Sequence, residues 1–453
     1  MTGISLFDWS IYRHMFSTKQ MEALFGEAST IDRIVVAEKA VARAQGKLGI
    51  IPAAAAKEID RCLDASKIDL DRLHEDTMDV GRPIAGIARQ LAEQVGDGHD
   101  VWVHYGITTY DIMDTGKVLQ LRDGIQAILA QVRHFREVLT ALAAEHRDTV
   151  MIGRTNNLHA QPQTFGAKAA VWIEELLRHE DRLLEVRKRV LVVQFGGAVG
   201  TLASFQPDGM EFRRLVADEL GLGQIQSNWH NARDGVTELS MHLGTLCASL
   251  ARIAQNINML SSTEIGELSE AGKQGRGRST SMAHKRNPRA AEFAEAVARL
   301  GRHRATGMIE VMGQDHDRCG GTYISEWMLL PETFLLTSGA LAWSIDLIDR
   351  LEVHADRMRA NVDMTGLALT ERFTLALAGK MSKFEARRLI DAAVGQSRSS
   401  GRTLAETLTG MADVRAVLDE AEIEHLADPE TYVGAAPEIV DAVLAAAGKS
   451  GAG

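Results

Sequence analysis

Proline limits what this chain can fold into more than any other residue does. Only 8 occur in 453 residues, well under the roughly 5% of average proteins. Residues 84–161, 208–287 and 332–428 contain none. A proline inside a helix removes a backbone hydrogen bond and crowds the preceding turn, so these spans suit long uninterrupted helices. The helical period is written in them. Leu243, Leu246, Leu250, Ile253, Ile257 and Leu260 follow a 3,4,3,4,3 spacing, a coiled-coil-like seam. Ile173, Leu176, Leu183, Val186 and Val190 make a second seam, interrupted by Glu180. The expected fold class is all-α, with long antiparallel helices in a central bundle. Each seam suits an ordinary core stripe; two in one chain also suit a bundle with apolar faces turned to neighbouring subunits.

Three domains are expected along the chain. Residues 1–110 read as a smaller, mainly helical domain, in which a helix over 31–49 stops at Gly49 before Pro52. Residues 111–350 carry the long-helix bundle. Residues 351–453 read as a small C-terminal helical domain, with a turn at Asp428-Pro429-Glu430 before a last helix over 438–447 and a frayed tail.

The net charge of −11 disfavours bulk binding to nucleic acid or an anionic membrane, so an anionic ligand needs a local basic cluster. Cys62, Cys247 and Cys319 are odd in number and lack CxxC spacing, which indicates neither a disulfide framework nor a zinc site. Residues 1–16 lack a basic region followed by an apolar stretch, and no 18-residue apolar run is evident. A soluble cytoplasmic protein is expected.

The basic cluster is found at residues 271–291, AGKQGRGRSTSMAHKRNPRAA. It holds six positive side chains, Lys273, Arg276, Arg278, Lys285, Arg286 and Arg289, and no acid between Glu270 and Glu292. Gly272, Gly275 and Gly277 free the backbone, while Ser279, Thr280, Ser281 and Asn287 offer hydroxyl and amide groups to an anion. A closing loop for a polycarboxylate fits this composition, as do a solvated linker, a phosphate cradle and a nucleic-acid patch. The GxxxxGK[ST] pattern and interleaved aromatics are both missing.

The segment from Ser279 to Pro288, STSMAHKRNP, resembles the signature of the fumarase/aspartase superfamily, with Arg278, Thr280 and Ala283 at positions usually held by Gly, Ser and Pro. WVHYGITTYDIMDT (Trp102 to Thr115) resembles the first region of that superfamily, especially in adenylosuccinate lyases, and MIGRTNNLHAQPQTFG (Met151 to Gly166) resembles the second. Trp229-His230 with Arg233-Asp234, Glu326-Trp327 with Leu330-Pro331, and Asp428-Pro429 with Tyr432 are similar to bacterial 3-carboxy-cis,cis-muconate cycloisomerases. Essentially the whole chain is covered.

The resemblance implies a three-domain helical fold that tetramerises through its central bundle, with active sites shared between subunits and neither cofactor nor metal required. It also implies proton removal beside a carboxylate, an aci-carboxylate dianion, and loss of a group from the adjacent carbon. Ser279 would be the base. Lys285 and Asn287 would hold the carboxylate that takes the extra charge, with Thr280 and Met282 lining it. Thr108, Thr109 and Thr155 would bind substrate carboxylates, and His230 and Arg233 are further candidates for substrate contact. By residue type alone, each threonine also suits a helix cap.

Asn156 stands where fumarases and adenylosuccinate lyases carry a proton-delivering His, so that position cannot titrate. Glu292, the usual partner of that His, is retained. His159 is a candidate acid or a hydrogen-bonded supporting histidine. Residues 78–83, MDVGRP, lack the His with which adenylosuccinate lyases help hold a nucleotide, which argues against a nucleotide substrate. The expected reaction is elimination of an amine or similar group from a substituted succinate, giving fumarate. Lactonisation of 3-carboxy-cis,cis-muconate is the alternative, and a catalytically silent structural or binding homologue is the third reading.

Overall fold

The computed structural model describes residues 5–96, 98–271, 277, 281–318 and 320–449. The chain is mainly helical. Five long helices dominate it: Thr109–Glu145, Phe165–Val190, Asp234–Leu260, Arg289–Val311 and Gly321–Asp349. The seam from Leu243 to Leu260 falls on one of them, and each of its six leucines and isoleucines is at most 5% exposed. The second seam lies on Phe165–Val190 and is equally buried. Glu180 interrupts it because Arg133 from Thr109–Glu145 donates to its carboxylate at 2.6 Å, which answers a buried charge with an opposite one.

Two compact units emerge, and their boundaries cut all five long helices. One comprises Met1–Arg133, His179–Ala251 and Phe293–Ala342. Its smaller helices include Glu27–Leu48, which stops where Gly49 adopts a left-handed φ of 70° and caps the carbonyls of Gln45 and Gly46. A core around Ile34, Val41 and Ile87 continues into Phe195, Phe205 and Phe212. Gly321–Asp349 has the length and apolarity of a membrane span. In this unit, however, it buries Tyr323, Leu330 and Phe334 and carries the buried acid Glu326.

The other unit comprises His134–Arg178, Arg252–Glu292 and Trp343–Gly453. It contains two small antiparallel sheets, Val150–Thr155 with Leu158–Thr164 and Leu268–Glu270 with Leu351–Val353. Short C-terminal helices close a second core on Phe373, Leu377, Leu389 and Leu408. Asp428 caps the turn Pro429–Tyr432 through the Glu430 N–H, and the last helix is Ala436–Lys449. The 450–453 end of the tail lies outside the described residues.

Candidate active site

In the first unit the site is organised by Asp111. Thr108 precedes the helix Thr109–Glu145, and its N–H donates to Asp111 Oδ2 at 3.1 Å while the Asp111 N–H returns to the Thr108 carbonyl at 3.0 Å. This is half of a capping box whose acceptor side chain is Asp111; Thr108 takes part through its backbone N–H and carbonyl rather than by the side-chain cap its residue type suggested. The same fully buried carboxylate accepts the N–H groups of Gly196 at 2.9 Å and Gly197 at 3.1 Å. His230 Nε2 lies 3.1 Å from Asp111 Oδ1. An ionised carboxylate offers only lone pairs, so Nε2 carries the ring hydrogen. His230 Nδ1 is left buried with no hydrogen-bond partner.

Arg233 is placed differently from what substrate contact requires. Its side chain is fully buried and makes four hydrogen bonds, two to Asp114 and two to Glu326, at 2.7–3.0 Å. Lys117 adds a 2.6 Å contact to Glu326, and the Tyr323 hydroxyl donates to Asp114 at 3.0 Å. Burial alone would raise the Glu326 carboxyl, but Arg233 and Lys117 overcome it and hold the group well below its ordinary value. Burial also pushes the Tyr323 hydroxyl up, reinforced by Asp114, so it remains a donor. Arg233 thus anchors the helix ends beneath Thr108 and Thr109.

In the second unit, Thr155 and Leu158 pair across a two-residue hairpin turn in which Asn156 and Asn157 have φ of 49° and 63°. Two successive left-handed residues define the turn whose twist matches paired strands, and asparagine tolerates that conformation better than most side chains. Local backbone chemistry therefore accounts for Asn156. Thr155 and Asn156 are exposed at this tip. His159 pairs in register with Arg154, which forms a bidentate ion pair with the buried Glu267 at 2.9 and 2.5 Å. Burial first, then the Arg154 charge, lower the pKa of His159, with Glu267 opposing. A lowered pKa makes the protonated ring a stronger acid, and its Nδ1 has no hydrogen-bond partner.

The signature segment lies in the same unit. Ser279 and Thr280 fall outside the described residues. The Asn287 amide donates to the Gly277 carbonyl at 3.2 Å and its N–H to the same oxygen at 2.8 Å. Gly277 has φ 71°, and a Cβ there would lie 2.6 Å from the Asn287 carbonyl oxygen, so only glycine fits. Met282 and Lys285 are exposed. Glu270 accepts the N–H groups of Ala290 and Ala291 and caps the helix that follows, Arg289–Val311. Glu292, one turn in, pairs with Arg289 at 2.6 Å.

The expected residues thus form two groups. Thr108, Thr109, His230 and Arg233 belong to the first unit; Thr155, Asn156, His159, Met282, Lys285, Asn287 and Glu292 belong to the second. Sequence reasoning missed Asp111, although its place three residues after Thr108 is itself a capping signal.

A long-helix scaffold with a threonine pair opening one helix, a threonine-bearing hairpin and a glycine-rich signature opening another defines a lyase of the fumarase/aspartase class. The chain belongs to that lyase family: the family model described as "Lyase" matches residues 12–300, and that described as "Adenylosuccinate lyase C-terminus" matches residues 366–443. It is 36% identical over 434 residues to a 3-carboxy-cis,cis-muconate cycloisomerase of Bradyrhizobium diazoefficiens, covering 95% of this chain and 96% of the relative. It is 33% identical over 445 residues to an N-acetyl-S-(2-succino)cysteine lyase of Enterococcus italicus, covering 98% of each. Among solved structures, a fumarate lyase from Mesorhizobium sp. BNC1 is similar with a TM-score of 0.89 and 39% identity, over 95% of this chain and 98% of that one.

Proposed function

We propose that this lyase eliminates an amine or similar group from a substituted succinate to give fumarate. Ser279 takes the proton from the carbon beside one carboxylate, and Lys285 and Asn287 hold the dianion that results. The threonines at 108, 109 and 155 orient the substrate's carboxylates as neutral donors. The bond from the adjacent carbon to the leaving nitrogen then breaks, its electron pair stays on nitrogen, and His159 supplies the proton. The second negative charge on the carboxylate is the hard part, and fixed donors with a cation stabilise it most effectively when water is excluded.

The observation that carries this reading is His159, whose Nδ1 is unpaired four residues beyond Thr155 in the chain, across the hairpin turn. A poor amine leaving group needs a proton donor aimed at its nitrogen; internal lactonisation takes its proton at carbon and has no leaving nitrogen to protonate. Three domains, 1–110, 111–350 and 351–453, and a homotetramer that shares its sites complete the proposal. Exposed Val171, Leu300, Ile309 and Met328 on the long helices support subunit contact.

Absorbance in the fumarate and muconate bands, with N-substituted aspartates and 3-carboxymuconate as substrates, tests the reaction. Wild type should form fumarate, and Ser279→Ala should lose turnover by orders of magnitude while its circular dichroism is unchanged. Because the free ring titrates below its ordinary value of about 6.5, kcat/KM should fall as pH rises through that lower midpoint. His159→Asn should remove this limb. Turnover of 3-carboxymuconate alone, with no effect at His159, selects lactonisation instead.

A further inference from the structure

Two buried polar side chains on one helix hold the loop that leads into Thr108. Glu38 and Gln45 lie close to two turns apart on Glu27–Leu48 and so share a face. Both are buried, along a helix that also buries Val35, Val41 and Ala42. Glu38 Oε1 lies 2.5 Å from His104 Nδ1, and Gln45 Nε2 donates to the Tyr105 carbonyl at 2.7 Å. His104 adopts a left-handed φ of 57° and Gly106 one of 74°. A Cβ on Gly106 would lie 3.1 Å from the buried Phe205 ring, so the loop is held closely on that side too.

Folding alone does not call for this arrangement. A buried carboxylate is costly unless paired, and a buried ion pair often stabilises no more than an apolar pair of similar volume. A left-handed backbone at a residue other than glycine adds strain. These costs meet in His104, four residues before Thr108, and what they secure is the direction in which the chain enters the Thr108 turn. Burial alone would lower the pKa of His104. The Glu38 carboxylate on Glu27–Leu48 and the Asp111 carboxylate on Thr109–Glu145 outweigh it and hold the ring above its ordinary value of 6.5. The ion pair therefore stabilises the folded loop below that ordinary value, and its contribution is lost as pH rises through the higher folded one.

We propose that Glu38 and His104 are positioning residues for the turn at Thr108 and Thr109: their ion pair fixes the loop ahead of that turn, and loss of the His104 proton loosens the loop and weakens binding of a dicarboxylate. Neither side chain touches the substrate; both act through the backbone from 104 to 108. This rests on the reading in which the two threonines orient carboxylates, and it adds a second titration to that reading. His159 titrates below its ordinary value and His104 above it, so the two are separated in pH.

Three measurements on the full-length protein test this without turnover. Histidine C2-hydrogen exchange read by mass spectrometry gives the His104 midpoint, amide exchange over 102–108 reads the firmness of the loop, and calorimetry gives the affinity for succinate. The wild-type midpoint should lie above 6.5 and fall in Glu38→Gln. Below the wild-type midpoint, Glu38→Gln should exchange 102–108 faster and bind succinate about threefold to tenfold more weakly, the order of one hydrogen bond. Glu38→Asp, which keeps the charge, should recover part of both. His104→Asn, which tolerates the left-handed backbone, should bind succinate weakly without the decline that wild type shows above its midpoint. Melting curves establish which variants are folded; where Glu38→Gln is not, Glu38→Asp and His104→Asn carry the same comparisons. A wild-type midpoint at or below 6.5, loop exchange that the variants leave unchanged, or succinate affinity indifferent to both pH and the variants overturns the proposal. If midpoint and loop exchange respond as expected but succinate binds wild type at no pH, the carboxylate role of the threonines fails and the hold on the loop stands.

Discussion

Arg233 and the Arg82–Arg318 pair lie in the same compact unit and treat positive charge in opposite ways. Arg233 is fully buried, and together with Lys117 it faces Asp114 and Glu326, so the cluster is neutral and its hydrogen bonds are internal. Arg82 and Arg318 are half-buried, rest on aromatic rings and backbone carbonyls, and keep unpaired donors. The first arrangement answers its charges internally; the second leaves buried donors open. Position in a motif does not separate the two. Partners do.

Breaking the closed cluster should have the largest effect. Arg233→Met strips the cation from two buried carboxylates and should cost about 3–5 kcal/mol in stability, read by denaturant unfolding. A loss below about 1 kcal/mol, the range of exposed pairs, would show that the cluster is not closed in solution.

Acid titration comes next. The folded Glu326 carboxyl sits below its unfolded value, so its stabilisation is present above that value and disappears as pH falls through the folded one. Wild type should therefore lose stability on acidification more steeply than Glu326→Gln, which starts weaker but has no such proton to take up. Parallel curves would remove Glu326 from the closed cluster.

The smallest effect is expected at the open pair. Arg82→Gln removes one of two repelling charges and no ion pair, so unfolding stability should stay within about 0.5 kcal/mol of wild type. A loss as large as that of Arg233→Met would make Arg82 a structural residue and erase the contrast.

Much of the scaffold was legible in the sequence. Both apolar seams are buried helix faces, Glu180 interrupts one because Arg133 pairs with it, and Gly49 stops its helix as the Gly–Pro spacing implied. The threonines and the Asn156 position were located by ordered motifs. Arg233 was legible as a position but not as a role, because its partners lie 93 and 119 residues away. Arg82 and Arg318 drew no assignment, since Arg82 and Arg318 meet at the Tyr110 ring, and Arg82 meets Trp327, only through tertiary packing. No local spacing encodes that meeting.

Asp111 has a consequence for the timing of catalysis. Because one buried carboxylate holds the backbone at Thr108, Gly196 and Gly197 and the ring of His230, these groups lose their freedom when the chain folds rather than when substrate arrives. Little ordering is left for the encounter, so more of the binding energy remains for the charge that develops during reaction. The same economy makes the position unforgiving: a substitution at Asp111 releases four groups in one step, and no single compensating change can hold them all again.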